Sequence, residues 1–299
     1  MPAQFAPDPY PPMDAVRRAV RVALAEDLGG LGDLSAALVP STKVASLAVV
    51  SRQEGVVGGE WCAREVFGQL DDTLKVLWHL PDGSSVAAGD SVAEVTGTLR
   101  SVLTAERTAL NFLGRLSGIA TLTRRYVDAV RSANPSTRVL DTRKTTPGMR
   151  ALEKAAVRAG GGYNHRFGLF DAVLIKDNHL AGVGITDAVA RARSMWPGRA
   201  VEIECDRIDQ VEEACRAGAS AVLLDNMSFE QASACVELVG GLRPDGSTLV
   251  EVSGGVTLQN APRYASLGVD LISVGALTHS APVLDLGLDL MTAGAGGGR

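Results

Sequence analysis

Six short apolar runs from residue 138 onward each end in residues able to do chemistry. They cover 138–140, 172–175, 200–203, 221–224, 248–252 and 271–274, and they lead into Asp141-Thr-Arg-Lys144, Lys176-Asp-Asn-His179, Glu204-Cys-Asp206, Asp225-Asn226, Ser253-Gly-Gly255 and Gly275-Ala276. The early group is cationic, with Arg143, Lys144 and Lys176 joined by His165 and Arg166 in the connecting segment. Arginine forks bind carboxylates and phosphates through two bonds and lysine adds a compact point charge, so the mixture suits a small ligand with several anionic groups. The middle group is acidic. Glu204 and Asp225, with no histidine or cysteine pair suited to zinc, are sparse hard donors of the kind that hold magnesium beside a phosphate. An ion pair with a nearby cation is the alternative use of either carboxylate. The last group is small: Ser253, Gly254, Gly255, Gly275 and Ala276 let backbone N–H groups approach an anion closely.

Other polar residues read more plainly. Arg150, Lys154 and Arg158 lie four apart beside Glu153 and fit a solvated helix face. Asp177 and Asp206 read as supports or helix caps. His165, after Gly160-Gly-Gly162, reads as the histidine in ligand contact; His179 and His279 lie beside the same loops, and His79 next to Trp78 reads as packing. Neither a dinucleotide-binding glycine motif nor a phosphate-binding P-loop occurs between a strand and a helix.

Elements must bring such distant residues together. From Thr137 on, short buried runs alternate with amphipathic stretches, the pattern of parallel βα units. In a parallel α/β barrel all strand C-termini converge on one face, so all six groups would line one pocket. An eight-stranded barrel needs more than six strands, so either one is hidden within 120–136 or the barrel is incomplete. An open doubly wound sheet satisfies the periodicity as well; the placement of the polar residues favours the barrel.

The first part has a different texture. Residues 13–28 carry Val16, Val20, Ala23 and Leu24 at helical spacing, with Gly29-Gly30 as the stop. Short β-branched runs at 46–50, 74–78 and 91–95, with a helix near 61–70, describe a small α+β domain. Two helices are expected between 103 and 133, broken at Gly118. The expected division is 1–116 for the N-terminal domain and 117–279 for the barrel, with 280–299 packing against the former. The proline-rich first dozen residues and the glycine-rich last seven read as loose ends.

Composition narrows the classes of function. The 299 residues carry 29 basic and 34 acidic side chains, a net charge of -5, which gives no global field for nucleic acid or an anionic membrane. No apolar run reaches the roughly 20 residues of a membrane span and no leader pattern opens the chain. The four cysteines (Cys62, Cys205, Cys215, Cys235) have no metal-site or disulfide spacing, and the expected location is cytoplasmic.

The chain also resembles a known family. The strings Glu106-Arg-Thr-Ala-Leu-Asn-Phe112, Asp141-Thr-Arg-Lys-Thr-Thr-Pro-Gly148, Gly160-Gly-Gly-Tyr-Asn-His-Arg166, Leu174-Ile-Lys-Asp-Asn-His179, Leu223-Leu-Asp-Asn226, Ser253-Gly-Gly255 and Val274-Gly-Ala-Leu-Thr-His279 are similar, in order, to quinolinate phosphoribosyltransferases. The resemblance implies a small N-terminal α/β domain with an incomplete α/β barrel, and a homodimer, or a higher oligomer, whose sites are completed by the neighbouring subunit. It implies transfer of phosphoribosyl from phosphoribosyl pyrophosphate to quinolinate with decarboxylation, giving nicotinate mononucleotide for NAD biosynthesis. Carried over, the acceptor pocket is Thr142, Arg143, Lys144, His165, Arg166 and Lys176, with Arg107 from the partner subunit; by itself Arg107 reads as helix surface. The phosphoribosyl side takes Glu204 and Asp225 near Mg2+, and Ser253, Gly254, Gly255, Val274, Gly275 and Ala276 around phosphate. Cys205 stands where the family carries valine, and Met149 where leucine is common; neither removes a charge. Two alternatives stay open: a paralogue on the same scaffold with another acceptor, and a Schiff-base aldolase using Lys176.

Overall fold

The computed structural model describes residues 9–180 and 182–291. Most of the two ends read as loose therefore lie outside the described residues. Contacts divide the chain into two compact units, one formed by residues up to Arg124, Thr145–Gly161 and residues from Leu277 on, the other by Arg125–Lys144 and Gly162–Ala276.

The first unit begins with helix α1 (Met13–Leu28), which buries Val16, Val20 and Leu24 along one stripe and stops at Gly29. Its sheet is antiparallel in the order β12-β1-β5-β3, with β1 Val44–Ser51, β3 Lys75–Trp78, β5 Ser91–Thr98 and β12 Leu286–Leu290. The short strands β2 (Gly55–Val56) and β4 (Ser85–Val86) pair separately, and helix α2 covers Glu60–Leu70. Strand β12 pairs with β1 from Leu47↔Leu290 to Ser51↔Leu286, so the C-terminal segment returns to the first strand.

Between 99 and 133 the structure corrects the expectation of two helices: α3 is one helix, Leu99–Ala133. Gly118 sits inside it, and a Cβ there would lie 2.0 Å from the carbonyl oxygen of Pro282. Glycine at this position admits a crossing chain; it does not end the helix. Helix α4 (Arg150–Ala159) brings a second correction, because Glu153 and Lys154 are both 0% exposed. Glu153 accepts from Arg115, from the Thr146 N–H and from the Thr146 hydroxyl. Helical spacing shows which residues share a face; it does not show whether another element covers that face.

The second unit holds six parallel strands: β6 (Arg138–Leu140), β7 (Val173–Ile175), β8 (Val201–Cys205), β9 (Ala221–Asp225), β10 (Leu249–Ser253) and β11 (Leu271–Ser273). Helices α5 (Asp177–Leu180), α6 (Ile185–Met195), α7 (Ile208–Ala217), α8 (Phe229–Leu242) and α9 (Ala261–Ala265) lie between them, and α10 (Ala276–His279) follows β11. The order is β6-β11-β10-β9-β8-β7. Strands β7 to β11 succeed one another as neighbours with no reversal, which is barrel winding; a doubly wound sheet would reverse at a switch point. The consecutive strands β6 and β7 end at opposite edges, so the barrel is incomplete, and residues 120–133 are helical and hide no strand. Among the described residues no helix is long and apolar enough to cross a membrane.

Candidate active site

Strand periodicity decides which residues face inward. On β8, Val201, Ile203 and Cys205 are fully buried on one side, while Glu202 and Glu204 take the other. The same alternation places Leu174 with Lys176, Leu223 with Asp225, and Glu251 with Ser253. Strand register brings these pairs level: Leu174 is opposite Glu202, Leu223 lies between Glu204 and Glu251, and Asp225 is opposite Ser253. A cavity of about 170 Å³ at this end of the strands is lined by Thr142, Arg143, Lys144, His165, Arg166, Leu174, Lys176, Glu204, Leu223, Asp225, Glu251, Ser253 and Ser273. Residues more than a hundred positions apart thus share one pocket.

The cationic side comes from two turns. After β6, the Thr142 hydroxyl accepts the Lys144 N–H at 3.0 Å, shaping the turn that presents Arg143 and Lys144. Asp141, fully buried at the strand end, accepts from the Asn164 amide at 2.6 Å and the His165 N–H at 2.9 Å, which ties the second turn to the first. The Arg166 guanidinium is held below its ordinary pKa by burial and by the like charge of Arg143, with Glu202, Asp171 and Glu204 opposing the shift. Two neighbouring guanidiniums in a partly dry pocket are an arrangement that an anion relieves.

On the acidic side one of the two uses weighed from sequence, the ion pair, is present. Lys176 Nζ donates to Glu204 Oε2, so Glu204 carries an ion pair. Asp225 closes β9, and its Oδ2 accepts from the side-chain amide of Asn226 at 3.0 Å. Glu204 and Asp225 supply hard carboxylate oxygens on adjacent strands around one cavity, a donor set that fits Mg2+.

The glycine side is built on Asn226, which has φ 53 and donates its N–H to Ser253 O at 3.0 Å. Gly254 has φ +82, and a Cβ on it would lie 2.2 Å from Asn226 Oδ1, so this turn requires glycine twice over. Gly254 and Gly255 come directly after β10. Val274 is buried and donates its N–H to Leu140 O at 2.9 Å, with Gly275 and Ala276 next in the chain. These five do not line the cavity itself. Arg107 is an exposed residue of α3 in the first unit. His179 Nδ1 accepts the Lys176 N–H at 3.0 Å, bracing the turn after β7, and His79 pairs with Glu94. Asp206 is exposed beside Arg207, which itself precedes α7.

Reading strand ends missed Glu202 and Glu251, charged residues inside apolar runs. Their signal was the two-residue period: Glu202 shares a face with Glu204, and Glu251 shares one with Ser253. With His165 they form the one group of three possible metal-ligating side chains found among the described residues, all ligand atoms lying within 4.8 Å of one another.

The sequence model described as "Quinolinate phosphoribosyl transferase, C-terminal domain" matches residues 119–289, and that described as "Quinolinate phosphoribosyl transferase, N-terminal domain" matches 33–117. The chain is 44% identical over 283 residues to the nicotinate-nucleotide pyrophosphorylase [carboxylating] of Mycobacterium leprae, covering 93% of this chain and 98% of that one. A probable nicotinate-nucleotide pyrophosphorylase [carboxylating] of Bacillus subtilis is 40% identical over 268 residues, 89% of this chain and 90% of the relative. Among solved structures, the nicotinate-nucleotide pyrophosphorylase of Francisella tularensis superposes with TM-score 0.88 at 40% identity, covering 95% of this chain and 99% of that chain.

Proposed function

The chain belongs to the quinolinate phosphoribosyltransferase family, and from that premise we propose that it transfers phosphoribosyl from phosphoribosyl pyrophosphate to quinolinate with loss of carbon dioxide, giving nicotinate mononucleotide for NAD biosynthesis. The observation that carries this reading is the single cavity in which Arg143, Lys144, Arg166 and Lys176 face Glu204, Asp225 and Ser253. A dicarboxylate needs the first set and a pyrophosphorylated sugar the second.

Arg143 and Arg166 grip the acceptor's carboxylates and hold its ring nitrogen in line with C1 of the sugar, so that positioning supplies much of the rate. No protein nucleophile is needed. Pyrophosphate departs from C1 as the nitrogen bonds to it, and the backbone N–H groups around Gly254, Gly255 and Gly275 hold phosphate. Glu204 and Asp225 would hold Mg2+, which when bound neutralises charge on the departing pyrophosphate. The alkylated ring nitrogen then carries the positive charge that stabilises the carbanion left by decarboxylation, which takes up a proton from water to give the product, and Lys144 and Lys176 balance the site's charge. The aldolase alternative loses ground because Lys176 sits beside a carboxylate, with its side chain 41% exposed, and lacks the desolvated setting that makes a Schiff-base lysine nucleophilic.

A homodimer completes the reading. Among the described residues strand β7 pairs only with β8 and forms an edge of the sheet, and Leu169, Phe170, Met195 and Trp196 near it are exposed by 74, 73, 60 and 50%. They line a second cavity of about 770 Å³ that shares Arg143, Arg166 and Lys176 with the first. A second copy covering this apolar face would bring its Arg107 to the acceptor. The four cysteines are free and buried, which suits a cytoplasmic location.

The direct test incubates the protein with quinolinate, phosphoribosyl pyrophosphate and magnesium and measures carbon dioxide and nicotinate mononucleotide. Their joint appearance supports the reading; product from nicotinate alone, without carbon dioxide, would replace it with the paralogue.

A further inference from the structure

This inference rests on the reading of Arg166 as an acceptor-binding cation and asks what holds it. His165 Nε2 lies 3.1 Å from Glu202 Oε2 and 3.6 Å from Glu251 Oε1. Its other ring nitrogen, Nδ1, accepts the backbone N–H of Arg166 at 2.7 Å. An accepting nitrogen bears no proton, so the ring proton sits on Nε2 and is donated to Glu202. The ring therefore bridges a barrel carboxylate and the backbone of Arg166, while Asp141 fixes the same turn from β6 through the His165 N–H.

Glu251 lies beside both the His165 ring and Glu202. It is 1% exposed, and among the described residues its Oε1 has no hydrogen-bond partner. An ionised oxygen so placed would be costly, and burial, with Glu202 beside it, pushes this carboxyl above the ordinary carboxylate range, against the opposing effects of His165 and the Ser273 hydroxyl.

We propose that Glu202 and Glu251 are positioning residues for the acceptor site: through the His165 ring they fix the turn that aims the Arg166 guanidinium. In this arrangement His165 serves as a strut, and Arg166 makes the ligand contact. A divalent cation would fit the spacing of the three side chains. The tautomer opposes it, since a metal on Nε2 needs the lone pair that the proton occupies when Nδ1 accepts.

Two measurements on the full chain test this. In wild-type protein labelled with nitrogen-15 histidine, the neutral His165 ring should show the Nε2–H tautomer, unmoved by added zinc or magnesium. An Nδ1–H tautomer, or a metal-induced shift at Nε2, would overturn the strut. In steady-state kinetics, Glu251→Leu should raise KM for quinolinate about tenfold, with kcat and KM for phosphoribosyl pyrophosphate little changed, and Glu251→Gln should return KM to within about twofold of wild type because the amide replaces a neutral acid. Equal losses in Gln and Leu variants would overturn it. Should wild-type protein turn over no quinolinate, the functional reading fails while the tautomer still decides the strut; the tautomer also needs no variant to fold.

Discussion

The ammonium of Lys176 donates to Oε2 of Glu204, joining the cationic and acidic halves of the cavity through two residues 28 positions apart. Glu204 cannot serve Lys176 and a metal ion through the same lone pairs. Replacing Lys176 by Met should therefore lower the magnesium concentration at half-maximal rate even as it damages acceptor binding. Glu204→Gln and Asp225→Asn should raise that concentration, each on the order of tenfold. A chelator should stop turnover of the wild type and added magnesium should restore it. Magnesium titrations of initial rate check all four outcomes; an Asp225→Asn protein with wild-type magnesium dependence would remove Asp225 from the metal.

In the proposed reaction Arg143 and Arg166 act on the acceptor. Since a charge-assisted hydrogen bond contributes roughly 1.5–3 kcal/mol, Arg166→Ala should weaken quinolinate binding about 10- to 100-fold. Arg143→Ala should do the same, while binding of phosphoribosyl pyrophosphate stays within about threefold. Relief of the mutual repulsion that depresses the Arg166 pKa should make the double variant less than additive. Calorimetric titration with quinolinate measures each; unaltered affinity in either single variant would displace the pocket.

If Arg107 works in the neighbouring subunit's site, two inactive proteins should rescue each other. Arg107→Ala and Arg166→Ala, mixed and allowed to exchange subunits, produce mixed dimers in which one site carries both defects and the other none. Random pairing then restores up to about a quarter of wild-type activity. A mixture as inactive as its components would place Arg107 in its own subunit's site or in none.

Much of this site was legible from residues alone, for a physical reason. Residues 138–140, 172–175, 200–203, 221–224, 248–252 and 271–274 had to be buried and parallel, and in a parallel barrel the residues just past each strand's C-terminus face one shared pocket. Glu202 and Glu251 were not legible that way, because a strand-end argument looks past the charged residues inside a run. Arg107 had no signal beyond family resemblance: an exposed arginine on a helix carries none of its own. Lys154 was misread because spacing cannot reveal what packs over a helix face. Gly118 was misread because a glycine that breaks a helix and one that admits another chain look alike in sequence.

That last distinction can be measured. Gly118→Ala should improve helix propensity in α3 by about 1 kcal/mol and still destabilise the protein, because its methyl group would lie 2.0 Å from the Pro282 carbonyl oxygen. Overpacking of this kind costs roughly 1–3 kcal/mol net, or several degrees in thermal midpoint. Gly68, in helix α2 with open space around its Cβ position, is the control: Gly68→Ala should hold or raise the midpoint. Thermal melts of both variants decide it; a Gly118→Ala protein as stable as Gly68→Ala would return Gly118 to the role of a plain helix residue.

Asp82 gives the first unit a pH dependence of its own. Its Oδ1 accepts the N–H of Glu60 at 2.9 Å and so caps the start of α2. Burial, with the Glu60 charge adding to it, pushes the carboxyl up to about 7, against the backbone hydrogen bonds and the Arg64 charge that pull it down. The folded-state pKa thus lies above the unfolded value of about 3.9. Stability from this group is complete below about pH 4 and is lost as pH rises through about 7, because the folded chain must then bury a charge. Asp82→Asn keeps the capping oxygen and removes that charge. The variant should match or trail the wild type near pH 5 and exceed it at pH 8 by on the order of 1 kcal/mol, a few degrees in midpoint. Midpoints measured across this range should converge toward acid and separate toward base; parallel curves would mean that Asp82 is ionised throughout and that the N-cap bond alone sets its contribution.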